Sequence, residues 1–431
     1  MYRRKALPRL ARAVTCPPPR SAHRTRNKFP LAGPVEERVS SLGATAQFYK
    51  VHMTDLMLKG GRVIDPASGR DETADVAFGD GKVSEIGPGL SAGRGEIVDV
   101  RGLLVVPGLI DFHTHVYWGG TSLGVDAADV ARQSGTTTFV DAGSAGPGIF
   151  HGFRRHVIEC SPLRIIPYLN ISFPGIFAVS AAVTVGECAD LRLLDARECV
   201  RVITANRDLI AGVKVRVGRN AGGASGVAPL DIAREVAEET GLPVMAHLDN
   251  PPPSRLEVLA RLRRGDILTH CFRPFPNAPV QRDGRIREEV VEARRHGVIF
   301  DVGHGSGSFG FRAAEAMLMA GFFPDVISSD VHALSIKGPA FDQLVTMSKF
   351  LCLGMELIDV IRASTAAPAA ALGRTDIGRL EIGAVGDATV LELADGQFEY
   401  RDVLGEIRMG RQRLNSRGVV VAGQWWHPPR E

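Results

Sequence analysis

The sequence has few cysteines and no long apolar run. Its six cysteines include no C-x-x-C pair and no dense framework, which in a chain of 431 residues predicts reduced thiols and a cytoplasmic protein. The basic stretch at residues 1–30 lacks an apolar core, which excludes a secretory signal and a transmembrane helix there. The overall composition, 45% hydrophobic and 23% charged, is that of an ordinary globular protein.

Outside residues 1–50 the chain also lacks a large excess of charge of one sign. The chain carries a net +3 and its first 50 residues carry +9, which leaves −6 for the rest. This distribution predicts no nucleic-acid partner and no anionic membrane partner for the body of the protein. Residues 1–52 are interpreted as a disordered basic extension, with a transit peptide or a start codon assigned too early as the alternatives.

Short apolar runs and amphipathic stretches alternate along the sequence from Leu104 onwards. Each apolar run is closed by a polar residue, as in a buried parallel strand, and five of the amphipathic stretches end in glycine, the usual residue after a helix. The runs end, 23 to 44 residues apart, at His113, Asp141, Asn170, Lys214, His247, His270, Asp301 and Asp330. This repeat predicts an α/β fold, a (β/α)8 TIM barrel over residues 104–370.

The two flanks of the predicted barrel have a different pattern. Residues 54–103 and 371–424 contain short strand-like segments separated by glycines, such as LMLKGG at the start and RGVVVAG at the end. Segments of this kind are typical of small β-structures. We therefore expect one small β-sandwich domain formed by both chain ends, with the barrel inserted between them.

Six side chains at the carboxyl ends of the predicted strands have the chemistry of metal ligands. In a barrel these ends meet at one face, where the fold keeps its chemistry. His113 and His115 are two apart on one strand and therefore face the same side, while His247 and His270 end consecutive strands. Asp330 is a carboxylate in a buried position, which needs a partner. The predicted metal ligands are His113, His115, Lys214, His247, His270 and Asp330.

Lys214 lies in the apolar run GVKVR, where an ammonium is costly unless it is paired or neutral. A neutral lysine reacts with carbon dioxide to form a carbamate, an anion whose two oxygens can bridge two cations. A salt bridge to an acid at the barrel mouth is the structural alternative. Together with the neighbouring ligands, the position favours a carbamate bridge on Lys214.

Further residues near the predicted strand ends are candidates for substrate contacts. Arg216, His304 and His332 are predicted to contact the substrate, and Arg273 is a second basic candidate for an anionic group. The segment Gly305–Gly310 fits the dinucleotide motif GxGxxG. That motif belongs in the first βα unit of a dinucleotide fold, whereas here it falls in the seventh, so it is interpreted as a barrel loop.

These motifs resemble the metal-dependent amidohydrolase superfamily, which includes dihydroorotases, hydantoinases and phosphotriesterases. The resemblance covers residues 53–423 and rests on LMLKGGRVIDP, PGLIDFHTH and GRLEIGAVGDATVLEL. The segments GVKVR, THCF, FDVGHGSGSF and ISSDVHAL look like the amidohydrolase/deacetylase branch. The resemblance implies a barrel with a β-sandwich and two divalent metal ions, Zn²⁺. By it, His113 and His115 hold the buried metal with Asp330, His247 and His270 hold the outer metal, and carboxylated Lys214 bridges them.

Two departures from relatives narrow the chemistry. Dihydroorotases commonly carry an arginine shortly after the HxH motif, and HTHVYWGG has none, which argues against opening of a pyrimidine ring. Deaminases of the superfamily usually have a glutamate after the histidine of the fifth strand, whereas His247 is followed by Leu-Asp-Asn-Pro, which argues against deamination. Ala367-Pro368-Ala369, where relatives often have Asn-Pro-Ala, is expected to affect packing only.

The resemblance therefore predicts a binuclear-metal hydrolase of deacetylase type. Hydroxide held between the metals would attack the carbonyl of a small acyl compound, with Asp330 as general base and then general acid, cleaving a C–N amide or an ester bond. A cyclic amidase, or a hydrolase of lactones or phosphoesters, stays open on the same ligands. A non-catalytic assembly protein is disfavoured because all six ligands are present. The expected partner is a small molecule, with a homo-oligomer as an open expectation.

Overall fold

The computed structural model describes residues 54–426, and the predicted extension at residues 1–52 lies outside them. The strands of the described part are β1 (Leu56–Asp65), β2 (Arg70–Gly79), β3 (Lys82–Gly87), β4 (Glu96–Asp99), β5 (Leu104–Pro107), β6 (Leu109–Thr114), β7 (Thr136–Ala142), β8 (Arg164–Asn170), β9 (Ala178–Val179), β10 (Thr184–Val185), β11 (Gly212–Val217), β12 (Val244–Leu248), β13 (Ile267–Leu268), β14 (Ile299–Phe300), β15 (Ala388–Arg401), β16 (Ile407–Val421) and β17 (Gln424–Trp426).

The α-helices of the same part are α1 (Ala127–Ser134), α2 (Phe150–Phe153), α3 (Ala196–Ala205), α4 (Arg219–Gly222), α5 (Ala228–Thr240), α6 (Arg255–Leu259), α7 (Glu288–Arg295), α8 (Phe311–Met319), α9 (Gln343–Cys352), α10 (Leu357–Arg362) and α11 (Ala366–Ala371). A π-helical turn at Arg154–Ile158 and a 3₁₀ turn at Leu191–Leu193 complete the set. None of these helices combines the length and the apolar character of a membrane-spanning segment.

Both ends of the described chain share one mixed sheet. Its strand order is β17-β16-β15-β5-β1-β2-β3, with β4 paired to β1, and the antiparallel pair of β15 with β5 joins the two ends. An isolated β-bridge between Lys82 and Val385 connects β3 to the segment just before β15. The sheet therefore curls around its own apolar side chains. The sequence predicted a sandwich of two sheets. A bulge between Leu58 and Gly61 instead lets β1 pair with β4 and then with β5, so a single sheet forms.

The second large sheet is parallel and carries the candidate site. Its order is β14-β13-β12-β11-β8-β7-β6, and every neighbouring pair is parallel, as the βα repeat requires. Helices cover its outer side. For example, α5 is followed by Gly241 in the left-handed conformation, φ +69°, and buries Leu230 and Val236. Because all strands run the same way, their carboxyl ends gather polar residues at one edge.

The closed eight-stranded barrel predicted from the sequence is not what the described residues form. The run ending at Asp330 is not a regular strand. It makes only isolated parallel bridges, Val326 with Asp301 and Val331 with Thr114. Backbone hydrogen bonds still join it to both edges, from Asp330 N–H to the carbonyl of His113 and from Val302 N–H to the carbonyl of Val326. The Asp111 carboxylate adds to them by accepting hydrogen bonds from the backbone N–H and the hydroxyl of Ser329. The sheet is therefore a curled, seven-stranded one, with this segment lying between its two edges.

Candidate metal centre

Three of the predicted ligands converge on one point at the carboxyl edge of the parallel sheet. Nε2 of His113 and Nε2 of His115 each lie 3.4 Å from the same oxygen, Oδ1 of Asp330. All three residues are buried, and their ligand atoms lie within 4.8 Å of one another. Asp330 adopts φ +48°, a conformation that costs a non-glycine residue of order 1 kcal/mol and that here aims its carboxylate at the two imidazoles.

The proton of the His113 imidazole is fixed by a hydrogen-bonded chain. The Thr269 hydroxyl donates to Oδ2 of Asp301 at 2.7 Å and has no second hydrogen to give. It must therefore accept from Nδ1 of His113, which lies 2.7 Å away. This arrangement places the proton on Nδ1 and leaves the Nε2 lone pair pointing towards Asp330. A carboxylate behind a ligand histidine is the usual support of a metal site.

His115 is held by an equivalent chain from another strand. The Ser144 hydroxyl donates to Oδ2 of Asp141 at 2.8 Å, so it accepts from Nδ1 of His115 at 2.9 Å. Asp141 also receives the backbone N–H groups of Val116 and Ser144. The Nε2 atom of His115 is consequently unprotonated as well, and its orientation is locked by buried groups.

His270 and His247 form the second pair of predicted ligands. Nδ1 of His270 donates to the carbonyl of Gly303 at 2.7 Å, so its Nε2 is an acceptor and receives Nδ1–H of His247, also at 2.7 Å. Nε2 of His247 is then a lone-pair atom. It is buried and has no hydrogen-bond partner among residues 54–426, and Oδ2 of Asp249 lies 3.6 Å away. A buried lone pair without a donor is what a cation would satisfy.

Lys214 lies within β11, fully buried, with Nζ 3.5 Å from Nε2 of His113. Burial, together with the nearby Arg216 guanidinium, lowers the pKa of Lys214 to about 7, although Asp330 opposes this shift. A substantial part of the lysine is therefore the neutral amine near neutral pH. The salt-bridge alternative is not realised within 4.0 Å in the described part of the chain.

The protonation states of the predicted metal ligands suit a divalent-metal site. Burial is the main cause that lowers the pKa of all four histidines, to about 3 for His115 and well below the usual range for His113, His247 and His270. Burial also raises the pKa of Asp330 to about 6. Neutral imidazoles, three of them with Nε2 atoms that accept no hydrogen bond from another histidine, a carboxylate and an amine that can become a carbamate are the donors that Zn²⁺-type ions take. The residues therefore fit the predicted metals.

A cavity of about 190 Å³ opens above these ligands. Arg216 and His332, both predicted to contact substrate, line it, and so does Arg273. Nδ1 of His332 accepts the N–H of Leu334 at 3.1 Å, so its proton is on Nε2, which lies 4.0 Å from Oδ2 of Asp330. His332 thus presents an N–H donor at the floor of the cavity.

His304, which the sequence also predicted to contact the substrate, does not line this cavity. The ring is fully buried, stacks on Phe309, and donates from Nδ1 to the carbonyl of Gly305. Its Nε2 receives a hydrogen bond of 2.7 Å from Lys349. Both ring nitrogens are therefore used within the fold, because the loop after β14 turns this side chain away from the strand ends.

Sequence reasoning missed the groups that orient the ligands. Asp141 and Asp301 were recognised only as strand ends, whereas the structure uses them behind His115 and His113. Their position at the ends of apolar runs was the available signal. The first glycine of the segment Gly305–Gly310 also has a local structural reason. Gly305 has φ +53°, and a Cβ there would lie 2.2 Å from Oδ2 of Asp330, so this glycine is required by a ligand rather than by a nucleotide.

Comparison with known proteins identifies the family of this chain. The amidohydrolase family model matches residues 104–426. A protein named deacetylase from Brucella anthropi is 35% identical over 356 residues, which make up 82% of this chain and 88% of that protein. The chain belongs to the amidohydrolase family. The family predicted from the motifs is thereby confirmed.

Solved structures show how far the amidohydrolase fold extends over this chain. The crystal structure of an adenine deaminase has a TM-score of 0.81 at 28% identity and covers 87% of this chain and 100% of its own. That of a dihydroorotase has a TM-score of 0.80 at 32% identity, with coverages of 86% and 98%. Amidohydrolases use divalent metals, and this amidohydrolase is a hydrolase with a His113/His115/Asp330 group able to bind a metal ion.

Proposed function

We propose that this amidohydrolase removes an acyl group from a small compound by cleaving a C–N amide bond or the corresponding ester, as a deacetylase does. One observation carries the proposal. The unprotonated Nε2 atoms of His113, His115 and His247 and the carboxylate of Asp330 belong to residues that line a small cavity, and the buried amine of Lys214 lies 3.5 Å from Nε2 of His113. The similarity to a deacetylase over 88% of its length supports the deacylase assignment over other family reactions.

The proposed metal set uses all six predicted ligands. His113, His115 and Asp330 would hold one ion, His247 and His270 would hold the other, and a carbamate on Lys214 would join the two sites. When bound, the two ions, which we expect to be Zn²⁺, supply an activated water and polarise the scissile carbonyl. The neutral amine of Lys214 is the form that reacts with carbon dioxide, so its burial favours the carbamate.

Asp330 is the proposed proton carrier of the reaction. Asp330 lines the cavity, and its Oδ2 lies 4.0 Å from Nε2 of His332. The carboxylate would take a proton at the nucleophile and return it to the leaving nitrogen or oxygen, as general base and then acid. His332 would donate to Asp330 or to the substrate carbonyl and keep the carboxylate oriented. The products are a carboxylate and an amine or alcohol.

Hydrolysis of a cyclic amide is the main competing reaction. A dihydroorotase at 32% identity shares the fold over 98% of its length, which keeps this reaction in view. Against it, the residues after His115 are Val116 and Tyr117, so the arginine expected for a dihydroorotate carboxylate is missing from that loop. Lactone and phosphoester hydrolysis use the same ligands, and a metal-free assembly protein would not need them.

The test is a substrate panel on the metal-analysed protein. N-acetyl amino acids, O-acetyl hydroxy acids, dihydroorotate, cyclic imides, lactones and phosphotriesters would be assayed at equal concentration, with the metal content measured in parallel. We expect about two divalent ions per chain and turnover of one of the acetyl compounds, abolished by chelation and restored by Zn²⁺. Faster turnover of dihydroorotate or a cyclic imide would replace the deacylase proposal, and a stable, metal-free protein would exclude catalysis by this site.

A further inference from the structure

A cavity of about 580 Å³ lies apart from the cavity above the metal ligands, and no residue lines both. It is bordered by α8, by the loop that precedes α7 and by the turn between β15 and β16. We call it the side groove. Its volume falls within the roughly 300–1,000 Å³ that is typical of ligand sites. The proposed reaction uses none of its residues, so the side groove is a candidate for a separate binding site.

Much of the side groove has an apolar surface. Ala313 and Ala316 lie three residues apart on α8 and therefore share one face of that helix. Phe275 and Leu404, which belong to the two bordering loops, also line the groove and are 84% and 62% exposed. Covering such exposed apolar side chains with another apolar group is favourable. The groove therefore suits the hydrocarbon part of a ligand.

The charged residues of the side groove are three arginines and one aspartate. The aspartate, Asp402, is buried. Its carboxylate oxygens accept the backbone N–H groups of three residues, Phe311, Leu404 and Glu406. Arg312 forms an ion pair of 2.6 Å with Glu406, which lies outside the lining. Even when Glu406 is counted, three positive charges stand against two negative ones, so the groove retains a positive charge.

Arg282 and Arg287 are the arginines of the groove without a counter-ion. Neither has a carboxylate oxygen within 4.0 Å in the described part of the chain. Nε of Arg287 donates to the carbonyl of Ala278 at 3.1 Å, and its two Nη atoms make no hydrogen bond among residues 54–426. Arg282 lies in a turn that the backbone N–H of Gln281 closes by donating to the carbonyl of Arg285 at 2.8 Å. Both guanidinium groups are therefore available to an anionic ligand.

We infer that the side groove binds a small amphipathic carboxylate, with its hydrocarbon part against Ala313, Ala316 and Leu404 and its carboxylate at Arg282 and Arg287. The inference is independent of the reaction at the metal centre. Arginine pairs with carboxylates through charge-assisted hydrogen bonds. The basic residues 1–50, with a net charge of +9, have the wrong sign for this groove. A neutral apolar ligand would leave both arginines without a counter-ion, so it should bind more weakly.

Calorimetric titration of octanoate into the full-length, metal-loaded protein tests the inference. Octanamide has the same shape without the charge, and acetate has the charge without the chain, so each should bind at least about tenfold more weakly than octanoate. Arg282→Gln should raise the Kd of octanoate about three- to fivefold, as expected for an exposed ion pair. Arg285→Gln is the matched control and should leave the Kd unchanged, since Arg285 lies in the same turn, pairs with Asp283 at 2.7 Å and does not line the groove.

A second variant tests the apolar part of the groove. Ala316→Leu places a larger side chain in the groove and keeps a good helix former at this position. Octanoate should therefore bind at least about tenfold more weakly, with an unchanged circular dichroism spectrum. Ala320→Leu is the control, since Ala320 is exposed directly after α8 and does not line the groove.

Carboxylates also bind to metal ions, so each titration is repeated after chelation. The side groove contains none of the proposed metal ligands, so binding of octanoate that depends on Ala316 should persist without metal. Loss of this binding on chelation, equal affinity for octanamide, equal effects of Arg282→Gln and Arg285→Gln, or no binding of octanoate would overturn the inference. A dimer that sedimentation detects and that Ala316→Leu dissociates would assign the groove to a second copy of the chain, and would overturn it as well.

Discussion

Lys349 donates a hydrogen bond of 2.7 Å to Nε2 of His304, and both residues are buried. Nζ of Lys349 also lies 2.8 Å from the carbonyl oxygens of Pro339 and Arg401. One side chain of α9 thus joins the loop after β14, the loop after Asp330 and the end of β15. The pair lies outside the proposed metal site, which makes it a separate feature to test.

The stability of the fold should depend on pH through Lys349. Burial lowers the pKa of Lys349 from 10.5 to about 7, against the influence of Asp402. Between these values the unfolded chain binds a proton that the folded chain does not, so stability rises with pH, by up to about 1.4 kcal/mol per unit, and is independent of this group below pH 7. Urea unfolding of metal-free protein at pH 7, 8.5 and 10 should show a steeper rise in wild type than in Lys349→Met. Equal slopes would contradict the shift.

His304 and His332 should have different effects when substituted. His304→Phe removes the acceptor of Lys349 inside the fold, so we expect a lower Tm with KM nearly unchanged. His332→Gln changes a group that lines the cavity and faces Asp330, so kcat/KM should fall at least tenfold with a small change in Tm. Thermal melts and steady-state kinetics on both variants check this, and a KM effect confined to His304 would reverse the assignment.

The glycine at position 305 should be required by Asp330. A Cβ at Gly305 would lie 2.2 Å from the Asp330 carboxylate, whereas a Cβ at Gly307 would meet no atom within 4 Å. We expect Gly305→Ala to displace Asp330, with loss of metal and a fall in kcat of at least 100-fold, and Gly307→Ala to retain both. Metal analysis and kinetics on the two variants provide the comparison. Similar behaviour of both would show that the close approach has no consequence.

Lys214 should behave as a carbamate bridge. Lys214→Ala should lose most of its metal and activity, and added short carboxylates or bicarbonate should restore part of both by occupying the vacated position. The control is Lys349→Ala, which removes the other buried lysine with a pKa near 7 and should keep its metal without any response to added anions. Full activity of Lys214→Ala without additives would exclude the bridge.

The parallel sheet and the ligand positions could be predicted because one local rule sets them: a short apolar run ends at a polar residue where the strand ends. The rule found Asp141 and Asp301, but it could not assign their use, since that depends on hydroxyls from Ser144 and Thr269 that are distant in the sequence. His304 also lies close behind a predicted strand end. Its side chain nevertheless turns away from the metal ligands, because it pairs with Lys349, 45 residues further on.

The strand pairing in the mixed sheet and the charge balance in the cavity were harder to predict from the sequence. Arg216 was preferred to Arg273 because it follows Lys214 on a predicted strand. The buried Glu187, which neutralises Arg216, comes from a loop before that strand and has no sequence pattern of its own. The sandwich was expected where a single sheet forms, since glycine-punctuated strands do not reveal which strand pairs with which.

The pairing of β15 with β5 also constrains the order in which the chain can fold during its synthesis. When β1 to β5 leave the ribosome, the strand that flanks β5 is still about 280 residues away in the chain. Contacts this distant in sequence form late and slowly. The parallel sheet and its helices can therefore fold while β5 still exposes an open edge to other strands, so chaperone binding is expected to concentrate on this interval of translation.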